Sequence, residues 1–186
     1  MGDLGKRMFD ILLSAVCLSL FAIPFLLIAV AIRVQDGGPA FFRQDRIGRD
    51  GQIFEMFKFR SMVQDAAKHG SYMTAEGDPR VTSIGRFLRR TSLDELPQLL
   101  NVFLGDMSLV GPRPDVPQQQ ELYTASDWKK RHSIQPGITG LAQVRDRSQA
   151  TFEARLSSDL EYVDRRSLVL DLKILLKTAR VATRSF

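Results

Sequence analysis

Cysteine is nearly absent from this chain: Cys17 stands alone, so no disulfide framework staples the fold, and a lone thiol fits a reducing compartment. Histidine is almost as scarce. His69 and His132 lie far apart in an otherwise imidazole-free sequence, which excludes cysteine–histidine zinc spacing and reads both as surface residues. A GxGxxG loop, a Walker phosphate loop and an HExxH helix are all missing, so dinucleotide binding, P-loop ATP hydrolysis and zinc hydrolysis fail as readings. Internal repeats and low-complexity tracts are absent too.

What is present is positive charge and one long apolar run. The 186 residues fit one domain, or a small domain with an appendage, and suffice for a modest core. A formal charge of +5 favours anionic partners: phosphates, nucleic acid or an acidic membrane surface. From Ile11 to Ile32 no charge occurs, and only Ser14, Ser19 and Pro24 interrupt the apolar residues. A straight helix over this run measures roughly 33 Å, enough to cross a bilayer core. It is too long for the apolar region of a signal peptide. Two readings stay open. One is an ordinary spanning helix. The other is a re-entrant helix kinked near its middle by Pro24, with both basic flanks (Lys6 and Arg7; Arg33, Arg43, Arg46 and Arg49) on the cytoplasmic face.

At the other end Lys173, Lys177, Arg180 and Arg184 form one helical stripe, and Leu168, Leu172, Leu175, Leu176 and Ala179 the opposing face. This suits an interfacial amphipathic helix, or a core-packed helix with a solvated side. Between the ends, Phe41-Phe42-Arg43-Gln44 and the run from Gln52 to Arg60 read as strands joined by the turn Gly48-Arg49-Asp50-Gly51. On the second strand Ile53, Glu55, Phe57 and Phe59 share one face, and Lys58 and Arg60 the other. A loop through Gly70, Gly77 and Asp78-Pro79 leads to a short helix around Ile84–Arg90. The main helix is expected from Asp94 to Leu104, stopped by Gly105. Glu121–Arg131 and Phe152–Tyr162 read as helices, and Pro136-Gly137-Ile138-Thr139-Gly140 as a turn. The expected class is mainly α with a small β-hairpin element, packed against a membrane.

The chemistry concentrates at Thr91-Ser92-Leu93-Asp94-Glu95-Leu96-Pro97-Gln98-Leu99. One reading is structural: Ser92 and Glu95 match a capping box, and acids in a first turn offset the helix dipole. Pro97 conflicts with it, because as the fifth helical residue its ring strikes the Leu93 carbonyl. The other reading is chemical. An aspartate with an unperturbed pKa of about 3.9 is already ionised and needs no base to act as a nucleophile. Attack on phosphorus must overcome anionic oxygens, for which arginines and magnesium are the usual remedy. Arg86, Arg89, Arg90 and Arg113 are close in sequence. Adjacent helical positions point apart, so Asp94 and Glu95 divide the labour, one as nucleophile and the other binding metal, orienting groups or handling protons. Lys58 and Arg60 offer phosphate contacts or a solvated strand edge. Arg113, between Pro112 and Pro114, offers an anion clamp or a stiff turn.

These blocks resemble the small monotopic phosphoglycosyl transferases, also called the bacterial sugar transferase family. The resemblance runs from about Lys6 to Arg180. It is carried by Lys6-Arg7-Met8-Phe9-Asp10, Gly38-Pro39-Ala40-Phe41-Phe42-Arg43-Gln44, Lys58-Phe59-Arg60-Ser61-Met62, the Asp94-Glu95 run, Gly105-Asp106-Met107-Ser108-Leu109-Val110-Gly111-Pro112-Arg113-Pro114, and Pro136-Gly137-Ile138-Thr139-Gly140-Leu141-Ala142-Gln143-Val144. It implies a re-entrant membrane helix over residues 1–36, broken at Pro24, and a catalytic domain over 37–186 on the cytoplasmic face of the bacterial cell membrane. It also implies transfer of sugar-1-phosphate from a UDP-sugar to polyprenyl phosphate with release of UMP. Asp94 matches the family nucleophile and Mg2+ ligand, and Glu95 its partner. Lys58, Arg89 and Arg113 match the phosphate site, with Arg60 and Gln143 as further substrate contacts. The chain departs from the family pattern at Ile23, where Ser is common before the proline, and at Arg145-Asp146-Arg147, where many members read Asn-Gly-Arg. Three other functions are weighed against this one: a membrane phosphohydrolase, a non-catalytic lipid- or anion-binding module, and a nucleic-acid binder, which leaves the apolar N-terminus unexplained. Membrane lipids are expected partners and nucleic acid is not.

Overall fold

Pro24 has no amide hydrogen for the Leu20 carbonyl, and its ring collides with that oxygen, so a straight helix through Leu20 is strongly disfavoured. In the computed structural model, which describes residues 3–66, 77–145 and 151–183, the chain answers with two helices. They are α1 (Asp3–Leu20) and α2 (Ala22–Asp36), bent by 61°. The break falls at Phe21 rather than at Pro24, which lies in the first turn of α2, where no intrahelical donor is required. Among the described residues no single helix is long and apolar enough to cross a membrane; by length and composition the bent pair fits a broken span or a re-entrant loop.

Each of these helices has a packed and a bare side. On α1, Phe9, Leu13, Cys17 and Leu18 lie against the main core, while Leu4, Met8, Leu12 and Val16 are exposed at four-residue spacing. On α2, Phe25, Ile28, Ala29 and Ile32 pack with Phe59 and Leu88 in a second, smaller core. Ile23, Leu26, Leu27 and Val30 face outward.

Strands β1 (Phe41–Ile47) and β2 (Ile53–Phe59) form the expected antiparallel hairpin, with Phe41 opposite Phe59 and Phe42 opposite Lys58. The tight connection at Arg49–Gly51 places Asp50 and Gly51 at positive φ (55° and 79°). Met56 enters the main core and Lys58 continues its face, by the two-residue period of a strand. Phe59 turns the other way, stacked on Phe41 at 5.4 Å and edge-on to Phe25 at 5.2 Å. Arg60 lies one residue beyond the strand end, and both it and Lys58 line the cavity described below.

Helix α3 (Ser83–Arg90) is capped by Thr82, whose hydroxyl accepts from the Gly85 amide. The expected helix from Asp94 to Leu104 is divided: Leu93–Glu95 is a 3-10 turn, and α4 (Gln98–Leu104) begins only after Pro97. This is the Pro97 conflict resolved, since the proline precedes the first residue that must donate. Gly105 closes α4 in the left-handed region at φ 110°. The Asn101 side chain ties α4 to β2, accepting from the Phe57 amide at 2.9 Å and donating to the Glu55 carbonyl at 2.7 Å.

The expected turn at Pro136–Gly140 is instead a strand. β4 (Gly137–Thr139) pairs in parallel with β3 (Ser108–Val110), a second sheet that three-residue segments flanked by glycine do not announce in sequence. Glycine is required there, because a Cβ on Gly137 would stand 2.0 Å from the Gly111 nitrogen. Glu121–Arg131 is helical only as α5 (Ala125–Arg131), after a 3-10 stretch at Pro117–Leu122. His132, expected at the surface, is buried. Helices α6 (Leu141–Arg145), α7 (Phe152–Arg165) and α8 (Leu168–Thr183) complete the chain. On α8 the apolar face is split: Leu175 packs with Ile174 against the core, while Val169, Leu172 and Leu176 are exposed beside Lys173, Lys177 and Arg180. His69, Gly70, Asp146, Arg147 and Arg184 lie outside the described residues.

A buried ionic knot joins the two ends of the chain. Lys6 Nζ lies 3.0 Å from Asp10 Oδ1 and 2.9 Å from Asp171 Oδ2. The Tyr162 hydroxyl lies 2.7 Å from Asp171 Oδ1, to which it donates, and 2.9 Å from the Val110 carbonyl. Tyr162→Phe removes this donor from a buried carboxylate and is expected to cost about 1–3 kcal/mol. A lowered melting temperature in detergent, with the α-helical circular dichroism unchanged, is the expected measurement.

Candidate active site

Ser92 cannot cap the dyad, because it stands in the left-handed region (φ 56°) with no side-chain hydrogen bond to the following turn. The tight turn that follows buries Asp94 to 8 % exposure and turns Glu95 toward β2 and the loop after β3. The capping-box reading is therefore overturned for both residues.

Glu95 is held by two cations. Lys58 Nζ donates to its Oε1 at 2.8 Å. The Arg113 fork reaches both oxygens, Nη2 to Oε1 at 2.6 Å and Nη1 to Oε2 at 3.4 Å. Burial opposes ionisation of Glu95, but Arg113 and then Lys58 overcome it and hold the carboxyl well below the usual range. Lys58 is lowered by its own burial, an effect that Glu95 partly offsets. Asp94 is different. Among the described residues its carboxylate has no hydrogen-bond or ion-pair partner, and burial pushes its pKa up, against the pull of Lys58 and with the push of Glu95. One carboxylate is clamped and the other is bare.

Both acids line a cavity of about 1250 Å³. Of the three arginines on α3, only Arg89 lines it; Arg86 and Arg90 are exposed elsewhere on the helix. Arg89 Nε donates to Ser61 Oγ at 2.8 Å. The contact depends on Gly85 one turn earlier, where a Cβ would stand 1.9 Å from the Ser61 carbonyl oxygen. Arg60 also lines the cavity, but its guanidinium is turned to Asp36 at the end of α2, with Nε and Nη1 unpartnered. Gln143, on α6, lines the wall with neither amide atom hydrogen-bonded. Lys58, Arg60, Arg89, Arg113 and Gln143 are thus gathered around Asp94 and Glu95.

Sequence reading missed a second set of lining residues. Arg46, on β1, donates to the Pro114 carbonyl at 2.9 Å, and burial together with nearby Arg113 lowers its pKa to about 10. Asp115, Tyr123, Arg131, Phe152 and Asp159 line the far end. Their one legible signal was Asp115 following Arg113-Pro114; Arg46 sits on a strand, Tyr123 follows a 3-10 stretch, and Arg131, Phe152 and Asp159 come from helices with no motif. A magnesium ion fits the donor set present. Among the described residues no cluster of three or more His, Cys, Asp or Glu exists to hold a metal unaided. A bare Asp94 suits an ion that takes one or two carboxylates and completes its shell with substrate phosphates.

Comparison with known proteins gives a consistent frame. The family model described as bacterial sugar transferase matches residues 1–185. The UDP-glucose:undecaprenyl-phosphate glucose-1-phosphate transferase of Caulobacter vibrioides is 44% identical over 183 residues, covering 95% of this chain and 68% of that protein. The exopolysaccharide production protein ExoY of Rhizobium meliloti is 41% identical, over 95% of this chain and 84% of its own. The undecaprenyl-phosphate galactose phosphotransferase of Salmonella typhimurium is 41% identical over 96% of this chain, which spans only 40% of its length.

The two acids are expected to respond oppositely to neutralisation. Asp94 has a raised folded pKa, so its ionised form weakens the fold as pH rises through the usual carboxylate range. Asp94→Asn should therefore unfold at the same temperature or higher near pH 7. Glu95 has a depressed folded pKa, so its stabilisation is full above the unfolded value near ~4.3 and fades as pH falls toward the folded one. Glu95→Gln strands Lys58 and is expected to cost about 1–3 kcal/mol at neutral pH. Melting curves of both variants at pH 7 check the contrast; equal destabilisation would contradict it.

Proposed function

As the chain belongs to the bacterial sugar transferase family and is a phosphoglycosyl transferase, we propose that it moves sugar-1-phosphate from a UDP-sugar to polyprenyl phosphate through a covalent aspartyl intermediate. The observation that carries this reading is the asymmetry of the dyad: Asp94 bare and buried on the cavity wall, Glu95 already neutralised by Lys58 and Arg113.

An Asp94 oxygen attacks the phosphorus that bears the sugar. The bond from that phosphorus to the bridging oxygen breaks, and UMP leaves with the bridging oxygen and its electron pair. The acyl phosphate on Asp94 retains enough transfer potential for the second half-reaction. A phosphate oxygen of polyprenyl phosphate attacks the same phosphorus, and the Asp94 carboxylate departs as the leaving group. Neither half-reaction needs a base to form its nucleophile, because carboxylate and phosphate are both anions at neutral pH. Burial of Asp94 removes water that would shield the nucleophile and hydrolyse the intermediate. Lys58, Arg89 and Arg113 supply the positive field against the phosphate oxygens. Magnesium, when bound, would be held by Asp94 with the donor's phosphates and would supply further charge neutralisation.

The same reading assigns the bent α1–α2 pair to the membrane as a re-entrant helix. The exposed apolar stripes of α1 and α2, and the Val169, Leu172 and Leu176 side of α8 with its neighbouring basic residues, support that placement. The catalytic cavity then lies on the cytoplasmic face of the bacterial cell membrane, where it would open a glycoconjugate pathway such as exopolysaccharide synthesis.

UMP release from a panel of UDP-sugars, beginning with UDP-glucose and UDP-galactose, is the test. One sugar is expected to give UMP in a magnesium- and polyprenyl-phosphate-dependent reaction. Without acceptor, one sugar phosphate should remain on the protein by intact mass, and Asp94→Asn should abolish both signals. Sugar phosphate released to water at the same rate with or without lipid would point to a hydrolase. No UMP from any sugar would reject the proposal.

A further inference from the structure

Arg113 clamps Glu95 from a loop that has little means of fixing itself. Pro112 and Pro114 on either side have no amide hydrogens, so the segment must be held through its carbonyls. Four successive ones accept. Pro112 takes the Gly137 amide at 2.8 Å, Arg113 takes Arg131 Nη2 at 2.7 Å, Pro114 takes Arg46 Nη1 at 2.9 Å, and Asp115 takes the Ile47 amide at 2.9 Å. The bond to the Arg113 carbonyl is unlike the two amide contacts, because it comes from a side chain that is itself locked.

Arg131 is 5% exposed and its donors are spoken for. Nε lies 2.9 Å and Nη2 2.8 Å from Asp159 Oδ2, and Nη1 donates to Asp115 Oδ2. Nη1 also faces His132 Nε2 at 3.5 Å, while His132 Nδ1 lies 2.9 Å from the Trp128 carbonyl. The Tyr123 ring covers the guanidinium at 5.6 Å. An arginine so fully engaged has no donor to offer a phosphate. It joins α5, α7 and the loop after β3 at one point, the backbone of the residue that grips Glu95.

We propose that Arg131 is a positioning residue: it sets the direction of the Arg113 side chain by fixing the Arg113 carbonyl, with Asp115 and Asp159 as its anchors. It rests on the transferase reading only for its kinetic readout. A lysine keeps the charge but presents one compact ammonium, which cannot reach Asp115, Asp159 and the Arg113 carbonyl in fork geometry. A misplaced clamp of about 1 Å is enough to cost on the order of 10²-fold in turnover.

The test is a double-mutant cycle of Arg131→Lys with Arg113→Ala, read as UMP release, as affinity for inorganic pyrophosphate, and as melting temperature. Arg131→Lys is expected to lower turnover by roughly ten- to a hundredfold in the wild-type background and less than about twofold once Arg113 is alanine. Pyrophosphate affinity should show the same loss of effect, and it reads the clamp even if the chain is not a transferase. Melting temperature should fall equally in both backgrounds, because the ion pairs are lost in both. If Arg131→Lys lowers turnover and affinity by the same factor in both backgrounds, it acts through general stability and the proposal is overturned. Should that variant not fold, Asp159→Asn, which keeps an acceptor for Arg131, carries the same cycle with the same supporting and overturning results.

Discussion

Glu95 is the common counter-ion of Lys58 and Arg113, and the site depends on that shared pairing. Lys58 comes from β2, Glu95 from the turn before α4, and Arg113 from the loop after β3. Without the acid, two cations would face each other across a partly buried space. Without the cations, a carboxylate would be desolvated beside Asp94. Each arrangement alone is costly, and together they fix three segments at one point. The clamp also separates the roles of two chemically similar acids, since the neutralised one leaves its neighbour as the sole bare carboxylate of the pair.

The surrounding packing serves that junction. Asn101 stitches α4 to β2, so the turn carrying the dyad keeps a constant distance from Lys58. Gly85 lets α3 press onto the Ser61 backbone, which delivers Arg89. The parallel pair β3–β4 brings Gly137 against Gly111 and leaves the proline-flanked Arg113 loop hung on its carbonyls. On the opposite side, Lys6, Asp10, Asp171 and Tyr162 bind the first helix to the last two. The apolar N-terminal pair is thereby joined to the folded body through α1, while its outer stripe stays bare.

Local chemistry was legible in the sequence where one residue dictates the backbone. Gly105 announced the end of α4, Gly48-Arg49-Asp50-Gly51 the hairpin, and Pro97 the flaw in a helix running from Asp94. Pro24 announced a kink but not its position, because the clash it creates lies one turn earlier, at the Leu20 carbonyl. The capping box at Ser92 and Glu95 misled. Its pattern is local, whereas Lys58 and Arg113 offered the carboxylate a stronger partner than an amide. The same limit hid His132: Trp128 lies one turn before it, but nothing in the local sequence says that Asp115, 17 positions earlier, will meet its ring.

The sequence by itself determined the kinds of chemistry present: an excess of positive charge, an apolar bent N-terminus, a mainly helical chain with one hairpin, and an acidic pair set among arginines. Those follow from composition, periodicity and backbone-restricting residues, all of which act over a few positions. Only the tertiary structure decided which acid is clamped and which is bare, that Arg89 and not Arg86 or Arg90 joins the site, and that Arg131 stands behind Arg113. These depend on contacts between residues tens of positions apart. They are settled by which charges must share a buried space, a question that spacing along the chain does not pose.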